Sequence, residues 1–483
     1  MGTFFNGDYS FQSNLTSFDM GGTTFANNSA YSMFSGCSNF NQPMVIPNYL
    51  TNVSNMFVGC YNFNSPIIIH PNANIISMDW FMLSDHFSQD INIPYGAVNW
   101  RDVIRCTAYH SNVFLYANYA GWTSSNVGDY INAFTGSNFN GNVIFQHTPA
   151  NMSNMFAYCS YLNQNIQIPT GANQNCYSMF RGCSNMNRTI KLPNNVDASC
   201  AFASCTNLSK SISIPTNSNI SLMFSGCTNF NASMYVPAFP QSSDSDSYNG
   251  YDIFKDCSSL NASVTFDDSI TVLNGTFYNC RSLNLPITLP SSLKYGHATF
   301  SSCGNLNVPI TLPNGLISMR SMFSSSAMNV NITIPESVTE MNSTFAYSSM
   351  NQLLTLPNNL TSLESTFKNC KSFNQSIVIP ETVEYCGSTF QGCTNLNTAI
   401  VIPNNVKDVT GMFWNCTNLY MDELNIPVNV TRIQNFAYRT LIKNVGIDSS
   451  LIQWPFNNFV SLAYNTINVY GKIPATTCSA VNT

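Results

Sequence analysis

One phrase recurs along the chain. "STFQGCTNLNTAIVIP" at 388–403 follows "STFKNCKSFNQSIVIP" at 365–380 and precedes "GMFWNCTNLYMDELNIP" at 411–427. The leading Phe stands at Phe34, Phe57, Phe81, Phe134, Phe156, Phe180, Phe202, Phe224, Phe254, Phe277, Phe300, Phe323, Phe345, Phe367, Phe390, Phe413 and Phe436. Most gaps are 22 to 24 residues. The gap from Phe81 to Phe134 is read as one degenerate repeat plus an insertion. The gap from Phe224 to Phe254 is read as one repeat with extra residues around "QSSDSDS". A fixed period of this size predicts units that each bury one edge against the next, not separate globular cores.

The unit itself reads physically. Phe390, Cys393 and Leu396 are three apart, which suits a short helical or 3-10 turn with one buried edge. Ile400 and Ile402 are two apart, which suits a short strand with one buried face, and Pro403 ends it because proline has no N–H for a ladder. Gly36, Gly59, Gly182, Gly226, Gly392, Asn279, Asn369 and Asn415 precede the Cys, where residues tolerant of positive φ predict a turn. The predicted fold is a solenoid, with a short parallel β-strand and a short helical or 3-10 turn in each repeat of about 23 residues. The expected layout is an N-terminal cap over 1–30, a solenoid over 31–440 with insertions at 95–133 and 238–252, and a C-terminal cap or docking segment over 441–483.

The pattern Phe-x-x-Cys-x-x-Leu followed by Ile-x-Ile-Pro-x-x-Val resembles the BspA-type leucine-rich repeat over roughly residues 31 to 440. The resemblance implies a leucine-rich-repeat fold, and its best-known members are bacterial surface adhesins. The chain departs from the pattern in two places. The usual Ile-Gly before the Phe is mostly absent. An Asn follows the Leu/Phe slot at Asn41, Asn64, Asn163, Asn187, Asn231, Asn261, Asn374 and Asn397.

Of 17 cysteines, 12 occupy the same slot: Cys37, Cys60, Cys159, Cys183, Cys205, Cys227, Cys257, Cys280, Cys303, Cys370, Cys393 and Cys416. Buried free thiol, disulfide ladder and metal ligand compete there. The repeats headed by Phe134, Phe323 and Phe345 carry Ser at or near the slot and are one residue shorter between Phe and Asn. Cysteine and turn length vary together, as expected of a volume-filling thiol and not of a redox partner. No C-x-x-C stands at ligand spacing.

Charge excludes several classes. Asp, Glu, Lys and Arg make up 8% of the chain, against roughly 25% in soluble domains, and the net charge is -6 without a basic block. Nucleic-acid binding by phosphate neutralisation is not expected. No run long enough to span a bilayer occurs, and "MGTFFNGDYSFQSNLTSF" has neither a positive n-region nor an apolar h-region, so no signal peptide is read there. The histidines His70, His86, His110, His147 and His297 are scattered, and no P-loop, G-x-S-x-G or H-E-x-x-H occurs. No enzyme activity and no cofactor are expected. Asp244, Asp246 and Asp252 form a weak candidate for calcium in "DSDSYNGYD", but Tyr248, Asn249 and Lys255 break the EF-hand pattern.

Two surfaces are candidates for binding. The middle residue of Ile-x-Ile points away from the core, and in five successive units it is Thr265, Thr288, Thr311, Thr333 and Thr355, followed by Val378 and Val401. The insertion at 95–133 carries Tyr95, Trp100, Tyr109, Tyr116, Tyr119, Trp122 and Tyr130, residue types that anchor protein and sugar contacts. The reading is a non-enzymatic binding or structural protein. The leading placement is a phage virion component (tail fibre, tailspike or capsid decoration) that contacts a host-surface protein or glycan. The alternatives are a bacterial cell-surface or secreted adhesin and a cytoplasmic interaction scaffold. Other virion or surface proteins, or copies of the chain itself, are the further partners considered.

Overall fold

A computed structural model describes residues 25–70, 73–79, 81–84, 86–94, 103, 113–115, 132–137, 139–145, 148–171, 174–241, 250–448 and 466–470. The chain divides into two units, Met1–Pro240 and Gln241–Thr483. In each, the repeat forms one coil of a stack.

The Phe of the repeat builds the spine. In the first unit the rings of Phe134, Phe156, Phe180 and Phe202 follow one another at 5.3 Å, with interplanar angles of 3 to 7°. In the second unit the run from Phe254 to Phe413 continues at 5.5 to 5.8 Å. These rings are buried. Burial of each contributes about 1.5–3 kcal/mol, and ring geometry adds to it. The Cys and Leu slots, such as Cys393 and Leu396, are buried beside them. The three-residue spacing is closed by i to i−3 bonds, Cys393 N–H to Phe390 O (3.0 Å) and Leu396 N–H to Cys393 O (3.1 Å).

This segment is also the main seam between coils. The N–H groups of Cys386, Ser388, Phe390 and Gly392 donate to the carbonyls of Asp408, Thr410, Met412 and Trp414 in the next coil, at 2.7 to 2.9 Å. The residues that follow the last three of them, Thr389, Gln391 and Cys393, donate back within their own coil. Such alternation needs a backbone that switches hand. Gly392 lies at φ 74°, and the equivalent Asn279, Asn369 and Asn415 at 56 to 62°. A second left-handed position stands two residues before the Phe, at Ser365, Ser388 and Gly411 among others, where no common residue type marks it. These inverted residues explain why the segment is a train of turns instead of a helix. One short 3-10 turn, Ala26–Asn28, occurs among the described residues.

The Ile-x-Ile segments are extended, with alternating burial. Part of them pair as parallel strands. β1 (Met44–Ile46) pairs with β3 (Ile67–Ile69). Between them, β2 (Phe57–Val58) pairs with β4 (Met82–Leu83) through the turn seam. β5 (Ile91–Ile93), β6 (Val113–Leu115) and β7 (Val143–Phe145) form a three-stranded sheet, so a repeat lies between Phe81 and Phe134. β8 (Met234–Val236) and β9 (Val264–Phe266) are short strands in the first and second unit. Beyond Phe413, β10 (Tyr420–Ile426), β11 (Leu441–Asp448) and β12 (Thr466–Tyr470) form a longer parallel sheet.

The coils centred on 287–289, 310–312, 332–334, 354–356, 377–379 and 400–402 differ from the one-strand-per-repeat expectation. Their segments are extended but carry no strand ladder. Alternating burial requires only extended backbone. The coils are instead held by the turn seam and by a second line of single parallel bridges running Val272, Tyr295, Ser318, Glu340, Ser362, Tyr385, Asp408 and Arg432.

Candidate binding face

The outward column is where the period-two reading put it. Thr265, Thr288, Thr311, Thr333 and Thr355 are exposed, and each sits between inward neighbours such as Ile287 and Leu289 or Ile310 and Leu312. Val378 and Val401 continue the column and are 82% and 79% exposed. Seven consecutive coils of the second unit therefore present uncharged, β-branched side chains on one face. The first unit exposes Val45, Ile68 and Tyr235 at the same position.

Thr288 and Thr311 are brought together in an open groove of about 600 Å³. Its walls are the extended segments of two neighbouring coils, with Pro286 and Ser291 from one and Pro309, Pro313, Asn314 and Gly315 from the next. No charged residue lines it. The prolines come from the near-duplicate stretches "LPITLP" at 285–290 and "VPITLP" at 308–313. Pro286 and Pro309 remove backbone donors from both walls, which disfavours closing the groove by a ladder between them.

The other candidates fall elsewhere. Tyr95, Trp100, Tyr109, Tyr116, Tyr119, Trp122 and Tyr130 lie outside the described residues, as do Asp244 and Asp246. Asp252 carries an ion pair to Lys255 (3.1 Å) and occupies the left-handed position before Phe254. Among the described residues, no group of three or more His, Cys, Asp or Glu side chains is placed to hold a metal ion.

The cysteine slot is packing. The fifteen described cysteines are buried and free of disulfides. Ten of the slot thiols donate to the Phe carbonyl of the previous coil, among them Cys183 Sγ to Phe156 O (3.0 Å), Cys303 to Phe277 O (3.1 Å) and Cys416 to Phe390 O (2.9 Å). Burial pushes the Cys227, Cys303 and Cys416 thiols up to about 12, so none is a nucleophile near neutral pH. The Ser-bearing repeats use a different device. Ser326 Oγ donates to its own Phe323 O (2.6 Å) and accepts from Met328 N–H (3.3 Å), which closes a turn one residue shorter.

The Asn that departs from the family pattern has a structural role. Asn374 Oδ1 accepts the N–H of Asn397 (2.8 Å), and Asn374 N–H donates to Asn351 Oδ1 (2.8 Å). The same bond joins Asn261 to Asn284, Asn284 to Asn307, and Asn307 to Asn329, making an amide ladder along the second unit.

Residues 247–374 and 363–475 match the family profile described as "BspA type Leucine rich repeat region (6 copies)". Over these residues the second unit carries BspA-type leucine-rich repeats. The first unit matches, over residues 1–93 and 104–214, a family described as "Mycoplasma protein of unknown function, DUF285". Three solved structures resemble the chain. A leucine-rich repeat protein from Bacteroides ovatus is 18% identical, with 62% of this chain and 88% of that chain covered and a TM-score of 0.39. A leucine-rich cell surface protein from Faecalibacterium prausnitzii is 16% identical, with 78% and 91% covered and a TM-score of 0.36. The pneumococcal vaccine antigen PcpA is 14% identical, with 89% and 90% covered and a TM-score of 0.36. No curated protein matches the chain. Among the described residues, no helix is long and apolar enough to cross a membrane.

Proposed function

We propose that this chain is a non-enzymatic binding protein displayed at a bacterial surface, and that it engages a protein or glycan through the outward column of its second unit. One observation carries the reading. Seven consecutive coils, from Thr265 to Val401, present an exposed and uncharged face, and the described groove lies on that face between Thr288 and Thr311. A partner on such a face is held by shape, methyl contacts and hydroxyl hydrogen bonds, so binding should survive high salt.

Arrays of neutral glycans and of immobilised host-surface proteins, probed with the full chain, test the face. Retention should persist in high salt and fall in a Thr288→Arg/Thr311→Arg variant of unchanged thermal stability. Equal retention by that variant, or binding that salt abolishes, would refute the assignment.

A phage virion would display the same face, and the repeat family favours the cell envelope over it. Protease shaving of intact producing cells should release peptides of the chain. Recovery only from purified virions would move the protein to the phage particle.

A further inference from the structure

The described residues contain three Asn-Gly pairs: Asn140-Gly141, Asn274-Gly275 and Asn314-Gly315. Asn-Gly is the pair most open to attack of the following backbone nitrogen on the Asn side-chain carbon, because glycine brings no side chain into the forming ring. The reaction requires an unengaged amide nitrogen, a free side-chain amide and room for a five-membered ring.

The fold protects two of the pairs. Asn140 Oδ1 accepts the N–H of Asn163 (2.8 Å) in the amide ladder, and Gly141 is buried. Gly275 is buried, and its N–H donates to His297 O (2.8 Å) in the seam between coils. Asp252 fills the space that a Cβ on Gly275 would occupy.

Asn314-Gly315 has the opposite surroundings. Both residues are exposed, in a turn closed by Leu316 N–H to Pro313 O (3.1 Å). The Asn314 backbone carbonyl accepts from Ser337 Oγ (2.7 Å), but neither its side-chain amide nor the Gly315 N–H has a hydrogen-bond partner among the described residues. Apart from the two adjoining residues, no atom lies within 4 Å of a Cβ built on Gly315.

We propose that Asn314 is a site of spontaneous covalent modification that places a carboxylate in the groove. The Gly315 nitrogen gives its proton to base and attacks Asn314 Cγ. The new C–N bond closes a succinimide, and the Cγ–Nδ2 bond breaks to release ammonia. Water then opens either imide carbonyl, leaving aspartate or isoaspartate, so one water enters and one ammonia leaves. No charged residue lines the groove beforehand, and the product puts one negative charge on its wall. The modification does not depend on what the groove binds.

The test is peptide mapping of the full chain incubated at mildly alkaline pH, folded in one arm and denatured in the other. Tryptic peptide 295–320 carries Asn314, and peptide 256–281 carries Asn274. In the folded arm, conversion to Asp and isoAsp at Asn314 should exceed that at Asn274 by roughly tenfold or more, the factor that about 1.4 kcal/mol of barrier confers. In the denatured arm the two rates should approach one another. A Gly315→Ala variant should abolish the folded-arm excess. Equal rates in the folded chain, or an Asn314 that reacts only after denaturation, would overturn the proposal.

Discussion

Cys393 Sγ lies 3.0 Å from the carbonyl oxygen of Phe367, one coil back, and donates to it. The same thiol is buried among the Phe spine, with Cys370 and Cys416 in the adjoining coils. Hydrogen bonding and desolvation together fix what these thiols can do.

The thiols should be chemically silent in the folded chain and should make it sensitive to alkali. Burial raises the folded-state values, to about 12 for Cys159, Cys227, Cys303 and Cys416 and to about 11 for Cys370. In the unfolded chain a thiol titrates near ~8.5. The unfolded state therefore loses protons first. The stability contribution is complete below that unfolded value and declines as pH rises toward the folded one. Each such thiol should cost about 1.4 kcal/mol per pH unit in that window. Urea midpoints should be flat from neutral to mildly alkaline pH and then drop steeply. Iodoacetamide should label the described cysteines only after denaturation. A flat midpoint into strong alkali would count against the burial account.

The left-handed seam positions predict substitutions of opposite sign. Ser325 is exposed at φ 57°, and its N–H donates to Ala346 O (2.7 Å). A Ser325→Gly change keeps that bond and relieves the left-handed penalty, so it should stabilise by about 1 kcal/mol. Gly392 is at φ 74°, with the Asn369 side chain where a Cβ would go. Gly392→Ala should destabilise by about 1–2 kcal/mol or more. Denaturant midpoints at constant m-value decide both.

These positions also mark how far the sequence could be read. Gly36, Gly392 and Asn369 announced a turn because their residue types tolerate positive φ. Tyr158 and Tyr347 occupy the same left-handed slot with no such signature, because the inter-coil bonds from their N–H groups to Arg181 O and Lys368 O enforce the conformation. The Phe, Cys and Ile slots were legible because burial follows a local period. The role of Asn374 was not, because its partner Asn397 is 23 residues away. Period-two burial located Thr288 and Thr311 on the surface. It carried no information on whether the segments between Pro286 and Pro313 would pair, so the groove appeared only in three dimensions.

The amide ladder should be worth little at one rung and more when neighbours are lost together. Asn374→Ala removes the acceptor for Asn397 N–H at an exposed rung, so the loss should be about 1 kcal/mol. Asn351→Ala/Asn374→Ala removes two consecutive acceptors. A double-mutant cycle should show coupling above ~0.5 kcal/mol, because each rung fixes the next backbone donor. Strict additivity would mean that the rungs act independently.

The link between thiol and turn length gives the sharpest test of the repeat. In the coil headed by Phe390 the slot is Cys and Asn397 stands seven positions after Phe390; in the coil headed by Phe134 the slot is Ser and Asn140 stands six positions after Phe134. Ser137 Oγ donates to Phe134 O (2.8 Å) and accepts from Phe139 N–H (3.3 Å), so the hydroxyl closes the short turn from within its own coil. Cys393 closes the long turn through Phe367 in the neighbouring coil instead. Cys393→Ser alone puts a shorter polar side chain in a space shaped for sulfur, and should cost about 1–3 kcal/mol. Deleting Thr394 alone leaves the thiol in a turn too short for it, and should cost at least as much. Combining the two rebuilds "FQGSNLN", the pattern of the native "FTGSNFN" at 134–140. The double variant should recover most of the loss of either single change, read from urea midpoints at constant m-value. Additive losses would show that the covariation of Ser with the short turn is not a packing rule.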